Sequence, residues 1–543
     1  MEKTAHIKQI TSDPTINIAL DTLEKCKQAL VFANTKRSAE KTAEDISKKV
    51  KISGTETQTL QELSEKALKS LSRPTKQCQR LARCIRKGTA FHHAGLTSRQ
   101  RELVETAFKE KIIKIICSTP TLAAGLDLPA FRTILKNLKR FGMHGLQYIP
   151  TLEYLQMAGR AGRPKYDTWG EAIAICKTAP EKDEIVERYI HGEPEEIYSK
   201  LAVEPVLRTY LLSLIAGDFV KTKKQIIDFF EKTFWAYQFK DMQRLNEIIT
   251  RMLGTLEEWE FLKSSCSDGT QDSAKQSDFI SASDIQNANK SKKEQEIKYA
   301  PTPIGRRVAE IYIDPLTAHE IIECLKTATA KPIAAFSFLQ MVSNTLEIRP
   351  QLRVRVKEME EMQEELIQYE SFLLMEEPSM FDGDYDGFMN SIKTALFFHD
   401  WIEEKDEDQL LEKYNITPGE IRVKLDTANW LLYASAELAR LMQFQLIIKD
   451  IKKLRLRLKH GAKEELLALL KFKGIGRVRS RKMFNNRIRT IGDVREAPIV
   501  TLVQLVGRAT AIKIKEQVGI RIDKEKVPKG KRIGQLSLEK YQK

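Results

Sequence analysis

Between Lys25 and Lys177 the chain alternates short apolar runs with segments whose apolar residues recur at helical spacing. KCKQALVFANT (Lys25–Thr35), TAFHHAG (Thr89–Gly95), KIIKIICST (Lys111–Thr119) and EAIAICK (Glu171–Lys177) read as strands. SAEKTAEDISKKV (Ser38–Val50) and SRQRELVETAFKE (Ser98–Glu110) read as helices. Near-continuous apolar strands alternating with helices predict a mostly parallel sheet covered on both faces. Beyond about residue 196 the pattern turns helical, as in PVLRTYLLSLIAG and KKQIIDFFEKTFWAYQF, and then shows a short strand region. A polar stretch rich in Ser, Asp, Gln and Asn interrupts it, and residues 263–297 are expected to be a disordered insertion. Long apolar-striped helices follow to about residue 445, among them TANWLLYASAELARLMQF. In the tail a helix leads through Gly474-Ile475-Gly476 into a second, strongly basic helix, and another helical pair follows around Gly507.

Composition narrows the class. At roughly 100–200 residues per domain, 543 residues predict three or four domains, and 42% hydrophobic content excludes wholesale disorder. Seven cysteines with no CxxC pair give neither a disulfide framework nor a zinc module. No apolar leader and no long charge-free stretch is present, so an intracellular chain with no membrane partner is expected. The net charge of +15 is unevenly placed: Leu441–Lys543 holds 27 basic and 9 acidic residues, +18, and the other 440 residues sum to −3. A basic tail domain on a near-neutral body predicts an attached polyanion-binding module.

The sharpest local feature is QMAGRAGRP (Gln156–Pro164). Two arginines three apart can share one face at a helix–loop boundary, and the glycines let a ligand approach the backbone. The rigid guanidinium fork suits phosphoryl oxygens that gain charge. By itself the segment also reads as a surface basic loop. STPTLAAGLDLP (Ser118–Pro129) follows a candidate strand directly, however, and ligands in open α/β sheets bind beyond the carboxyl ends of strands. The adjacent His92 and His93 would point to opposite sheet faces and supply no metal site.

These blocks together resemble the second RecA-like lobe of superfamily 2 helicases of the Ski2-like branch, and their order resembles the archaeal Hel308 DNA helicases. VFANT with SAEKTAED resembles motif IV, FHHAGL (Phe91–Leu96) motif IVa, STPTLAAGLDLP motif V and QMAGRAGRP motif VI. The resemblance implies that Arg160 and Arg163 contact ATP phosphates, Arg163 as the arginine finger, and that Gln156 couples nucleotide state to the other lobe. It places Gly125, Asp127, Gly159 and Gly162 near the nucleotide, with Asp127 standing where an asparagine is more familiar. It assigns Asn34, Thr35, His93 and Thr119 to the nucleic acid. LKNLKRFGMHGLQYI (Leu135–Ile149) corresponds to a duplex-splitting β-hairpin, in which Phe141, Met143 and Tyr148 could wedge a base step and Lys136, Lys139 and Arg140 hold phosphates. An ordinary glycine-containing loop is the alternative.

Downstream, PTPIGRRVAEIYIDP (Pro301–Pro315) resembles the end of a winged-helix domain, with Arg306 and Arg307 as weak candidates for DNA contact. GEIRVKLDTANWLLYASAELARLM (Gly419–Met442) resembles a ratchet helix in which Trp430 stacks on a base and Arg422, about 80° away around the helix, shares the groove. A core tryptophan is the alternative. The segment from Phe472 to Lys482 resembles a helix-hairpin-helix: Gly474 and Gly476 shape a phosphate-binding turn, and Arg477, Arg479, Arg481 and Lys482 add charge. Here a packing hairpin with a solvated basic surface is the alternative.

The expected fold is therefore multidomain α/β plus α. It comprises a RecA-like parallel-sheet lobe (1–195), a winged helix (196–314), a helical ratchet bundle (315–445), a helix-hairpin-helix domain (446–523) and a basic flexible tail (524–543). No GxxxxGK[ST] segment occurs in the 543 residues, and Asp406-Glu407-Asp408 lies in a late helical region rather than beyond a sheet strand. Three readings remain. One is the carboxyl part, truncated or split, of an ATP- and Mg²⁺-dependent 3′–5′ helicase acting on single-stranded and forked DNA in repair or recombination, needing a first RecA-like lobe, with a separately encoded polypeptide as one source of it. Replication and repair proteins are then possible partners. The second is a non-catalytic DNA-binding derivative, and the third an RNA-directed relative.

Overall fold

The computed structural model describes residues 5–51, 56–71, 74–123, 128–142, 145–162, 167–201, 203–266 and 297–522. Gly125, Asp127, Met143 and Arg163, residues 267–296 of the expected insertion and the tail 524–543 lie outside them. The chain packs as two compact units, Met1–Ile197 with Leu411–Val423, and Tyr198–Leu410 with Lys424–Lys543.

Among its described residues the first unit carries seven strands: β1 (Ala29–Phe32), β2 (Thr89–His92), β3 (Ile115–Ser118), β4 (Arg132–Leu135), β5 (Lys139–Gly142), β6 (Gly145–Tyr148) and β7 (Glu171–Ala174). Five form one wholly parallel sheet in the order β2-β3-β1-β4-β7. Strands β1 to β4 are buried at every position, as both-face coverage requires, whereas β7 at the edge is only half covered. The helices are α1 (Pro14–Glu24), α2 (Lys36–Lys49), α3 (Glu56–Leu68), α4 (Lys76–Ile85), α5 (Ser98–Lys109), α6 (Thr151–Ala158) and α7 (Ala179–Ile185).

Side chains fix where several of these helices start. Asp13, Thr35, Thr75 and Thr97 each accept a backbone N–H in the first turn of α1, α2, α4 and α5, a cap whose loss costs about 1 kcal/mol. Thr97 and Gln100 complete a reciprocal capping box, so α5 is capped one residue ahead of Ser98.

Strand β4 was not among the expected strands. Its Arg132 is only 2% exposed and donates to Asp21 (2.8 Å), the Thr22 hydroxyl (2.8 Å), the Ile18 carbonyl (3.1 Å) and Glu171. A charge in an interior strand hides the apolar pattern. It is tolerated because every face of the guanidinium meets a partner.

In the second unit α8 (Glu204–Ala216), α9 (Lys223–Phe230), α10 (Phe234–Phe239) and α11 (Met242–Glu258) precede the antiparallel pair β8 (Leu262–Cys266) and β9 (Ile297–Pro301), giving the winged-helix region. Residues 263–266 and 297 are thus strand rather than part of a disordered insertion, because Lys263 to Cys266 pair with Ala300 to Ile297. Helix Pro303–Ile311 follows, and a Cβ on its Gly305 would lie 2.0 Å from the Phe261 carbonyl, so only glycine fits there. Helices Ala335–Ser343, Tyr385–Ile402 and Gln445–His460 build the bundle with the 24-residue helix Pro418–Leu441. The last helices close on their own core of Leu469, Phe472, Ile475, Met483, Leu502 and Val506. Among the described residues no helix is long and apolar enough to cross a membrane.

Candidate functional site

Parallel pairing in register brings the polar ends of the strands to one edge. Phe32 at the end of β1 lies opposite Ser118 at the end of β3, and His92 at the end of β2 opposite the same serine, so Asn34, Thr35 and Thr119 emerge together. The Thr35 hydroxyl accepts the Ser38 N–H at 3.1 Å, and the Thr119 hydroxyl lies 2.9 Å from that of Thr121. Asn34 donates its side-chain amide to the Lys139 carbonyl, which ties β1 to the root of the β5–β6 hairpin.

His93 does not reach this surface. Its ring is fully buried: the Gly95 N–H donates to Nδ1 at 3.1 Å, which leaves the proton on Nε2 for the Glu40 carboxylate at 3.1 Å. The expected nucleic-acid contact is corrected to a loop-holding role, because both ring nitrogens are spent inside. Burial pushes the Glu40 carboxyl up, but hydrogen bonds from His93 and Gln77 and the Arg80 charge outweigh it and hold it below its ordinary value.

Arg160 follows α6, and its guanidinium donates through Nε (3.1 Å) and Nη2 to the Ala123 carbonyl in the motif V segment. Backbone bonds complete the join: Ala130 N–H to the Arg160 carbonyl at 2.9 Å and Gly162 N–H to the Ala130 carbonyl at 2.7 Å. Gly162 sits at φ +86°, and a Cβ on Gly170 would lie 2.2 Å from the Gly162 nitrogen, so the two glycines pass back to back. Gln156 is exposed on α6 and Gly159 ends that helix. Pro150 offers α6 no side-chain cap. Glu195 takes its place, accepting the N–H groups of Thr151 (2.6 Å) and Leu152 (3.1 Å), and these bonds pull its carboxyl down to about 2.

A hairpin stands where expected, with Lys139 paired to Tyr148 and Phe141 to Leu146. Tyr148 lies between cations, with Lys139 Nζ 4.2 Å and the Arg188 guanidinium 4.8 Å from its ring centre, and its hydroxyl donates to Glu184 at 2.6 Å. Arg140 pairs with Glu153 at 2.8 Å. Lys136 is bound to Asp13 (3.0 Å) and the Thr42 hydroxyl (3.1 Å).

In the second unit Trp430 is half-buried and its indole N–H donates to the Ile311 carbonyl at 3.2 Å. Arg307, on the helix that ends at Ile311, reaches the Tyr433 hydroxyl (3.1 Å) and Glu437 (2.8 Å). Arg307 therefore braces the Pro418–Leu441 helix instead of facing outward. Arg422, in the part of that helix that belongs to the first unit, is exposed.

The tail hairpin has Gly474 at φ +88° and Gly476 capping helix Arg477–Asn485. Arg477 lies over the Trp401 ring (5.5 Å) and Arg481 is bonded to Glu404 (2.8 Å) and Glu465 (2.6 Å), whereas Arg479 is exposed with one bond to the Gly474 carbonyl (2.7 Å). Lys482 is exposed.

Sequence reading passed over Glu40, Glu195, the bond of Arg307 to Glu437 and the Thr417–Glu420 turn. Only the last carries a local signal: Thr417-Pro418-Gly419-Glu420 has the spacing of a capping box, and Glu420 does accept the Thr417 N–H at 2.9 Å. The others act across 37 to 130 residues of chain, beyond any periodicity.

Comparison with known proteins places these parts in one context. The archaeal helicase domain 4 family matches residues 336–461, the helicase conserved C-terminal domain family 73–165, and a helix-turn-helix domain family 170–263. Curated relatives named ATP-dependent DNA helicase Hel308 match nearly the whole chain. That of Methanococcus vannielii is 35% identical over 96% of this chain and 69% of its own length. The Methanocella arvoryzae protein is 35% identical over 94% and 65%, and that of Pyrococcus horikoshii 37% identical over 90% and 63%. This chain thus spans about two thirds of the length of the relatives it matches. Motif segments stitched together beyond a five-stranded parallel sheet, a winged-helix region and a domain 4 bundle coincide with near-full-length similarity, and on that ground the chain belongs to the Hel308 family of helicases.

Proposed function

We propose that the chain is the carboxyl part of an ATP-dependent 3′–5′ DNA helicase motor, acting on forked or branched DNA together with a first RecA-like lobe. The observation that carries this reading is the join of motif V to motif VI, with the Arg160 guanidinium on the Ala123 carbonyl and the Ala130–Gly162 bridge. That join sets an arginine-bearing edge at the carboxyl end of the sheet, where phosphates would be met.

The donor set fits the phosphate side of a nucleotide site. Arg160 and Arg163 would hold the phosphates, Arg163 reaching the one that gains charge during transfer, with Gly125, Asp127, Gly159 and Gly162 allowing close approach. ATP with Mg²⁺ would supply the phosphoryl transfer that drives opening and closing of the lobes. The Mg²⁺ ligands would come from the acidic motif of the first lobe. Gln156, exposed on α6, would sense the state of the nucleotide. Asn34, Thr35 and Thr119 would hold phosphates of the tracking strand, Trp430 and Arg422 its bases and backbone, and the Phe141–Tyr148 hairpin would part the duplex.

The test is complementation. Mixed with a first-lobe polypeptide carrying GxxxxGK[ST] and an acidic Mg²⁺ motif, the chain should give DNA-stimulated ATP hydrolysis that Arg163→Ala abolishes. No stimulation at saturating concentrations counts against the motor. It would favour the second reading, a DNA-binding derivative.

A further inference from the structure

Arg455, on helix Gln445–His460, reaches the Pro418–Leu441 helix at two points one turn apart. Its Nε donates a long bond to the Asn429 amide oxygen at 3.3 Å, and its guanidinium lies 5.1 Å from the centre of the Tyr433 ring. Residues four apart share a helix face, so Arg455 lies along that face. Trp430 follows Asn429 directly and stands about 60° around the helix from Tyr433.

What sets Arg455 apart is its charge balance. It is half-buried, yet it enters no ion pair among the described residues. The carboxylate whose field reaches it is Glu437, and both oxygens of Glu437 are spent, Oε2 on Arg307 at 2.8 Å and Oε1 on Arg440 at 2.5 Å. Burial therefore works against the Arg455 charge and pulls its pKa below the ordinary arginine value, despite the opposing pull of Tyr433 and Glu437. Arg457, two residues on, shows the usual solution: it is buried and bonded to Glu403 at 2.6 Å. In Arg455 only Nε is engaged. Its two terminal nitrogens meet no acceptor among the described residues and are open to solvent.

A guanidinium steadied on a ring, with its fork unspent, is matched by a phosphate, whose oxygens can take both terminal nitrogens. The neighbouring side chain narrows the ligand further. The Trp430 ring has its polar group on the Ile311 carbonyl and offers only its face. A ring face and an open fork within one helical turn match the two ends of a nucleotide, base and phosphate. A carboxylate of a protein partner would satisfy the fork and leave the ring beside it without use. We propose that Arg455 binds the phosphate of the nucleotide whose base lies on Trp430, so that the strand is gripped at base and backbone from two different helices. This rests on the DNA-handling reading above and adds to it a residue outside every motif segment.

Binding of the 543-residue chain to a single-stranded oligothymidylate and to an abasic strand of equal length, across a salt series, tests it. Arg455→Gln keeps a stem over Tyr433 and removes the charge. It should weaken binding of both strands about tenfold. The slope of log K against log salt should shrink by about 0.7, the share of one phosphate on a single strand. Arg455→Lys should restore the slope without the full affinity, because an ammonium has no fork. Trp430→Ala should weaken only the strand that carries bases. A control, Lys326→Ala, removes one exposed cation of the same unit, paired with Glu323, and should change neither strand. An unchanged slope for Arg455→Gln, with or without a lower melting temperature, makes Arg455 a brace or a bystander and overturns the proposal. A loss matched by Lys326→Ala overturns it as well, and so does equal weakening of both strands by Trp430→Ala. Failure of the unsubstituted chain to bind either strand overturns instead the reading on which it stands.

Discussion

The backbone N–H of Gly419 donates to the carbonyl of Gly95 at 3.1 Å, and a Cβ on Gly419 would sit 2.1 Å from the Ala94 carbonyl. The start of the Pro418–Leu441 helix is thereby seated on the motif IVa loop, with Lys36 bonded to Glu420 beside it. The same loop is pinned from within by the bond of the Gly95 N–H to His93.

Gly419→Ala is expected to force this seat apart. Overpacking of a close backbone contact costs about 1–3 kcal/mol, so the variant should unfold at lower urea concentration. A conservative neighbour substitution, Glu420→Gln, should cost less because Lys36 and Glu420 are both partly solvated. Equal midpoints for Gly419→Ala and the unsubstituted chain would show that the seat yields without strain.

Acid should loosen α6 through Glu195. Backbone N–H groups depress its carboxyl to about 2 in the fold against an ordinary 4.5, so its support is complete above about pH 4.5 and fades as pH falls toward 2. Amide exchange at Thr151 and Leu152, compared at one pH between the chain and Glu195→Gln, should be faster in the variant at neutral pH. The difference should narrow in acid. A constant difference across the range would locate the cap elsewhere.

Trp430→Ala should weaken single-strand binding by roughly 5- to 150-fold at fixed salt, the equivalent of about 1–3 kcal/mol for one stacked base. Trp430→Phe keeps a ring but loses the bond to Ile311, so it should retain most of the affinity and lose some thermal stability. If both variants bind alike and differ from the parent only in stability, the ring is a core residue.

Two neighbouring cations in the tail hairpin should behave oppositely. Arg481 is committed to Glu404 and Glu465, and its ion pairs and hydrogen bonds hold its proton even more tightly than usual. Arg481→Ala should therefore lower the melting temperature more than it lowers DNA affinity. Lys482→Ala should leave melting unchanged and reduce the salt slope of DNA binding by about 1. The reverse ranking would mean that the internal pairs of Arg481 open in the complex.

How much of this was legible depended on the range of each interaction. Strands β1, β2, β3 and β7 and helices α2 and α5 show in short-range periodicity, and each lies inside or within two residues of its expected span. β4 did not, since Arg132 breaks its apolar run and is neutralised by residues more than 100 positions earlier. The motif segments were legible as strings, but the carbonyl that receives Arg160 belongs to Ala123, an anonymous residue until the fold supplies it. His93 and Arg481 looked available because a sequence lists side chains without the partners that occupy them.

Tryptophan has a single polar group, a donor, and in Trp430 that donor is already spent on the Ile311 carbonyl. What remains to meet a visitor is ring face, and every nucleobase offers a matching face. A chain that rests its track on such a ring has no means at that point of telling purine from pyrimidine. On the proposed function it would cross any stretch of DNA at nearly the same energetic level, and the Ile311 carbonyl, by accepting that one hydrogen bond, would keep the passage indifferent to sequence.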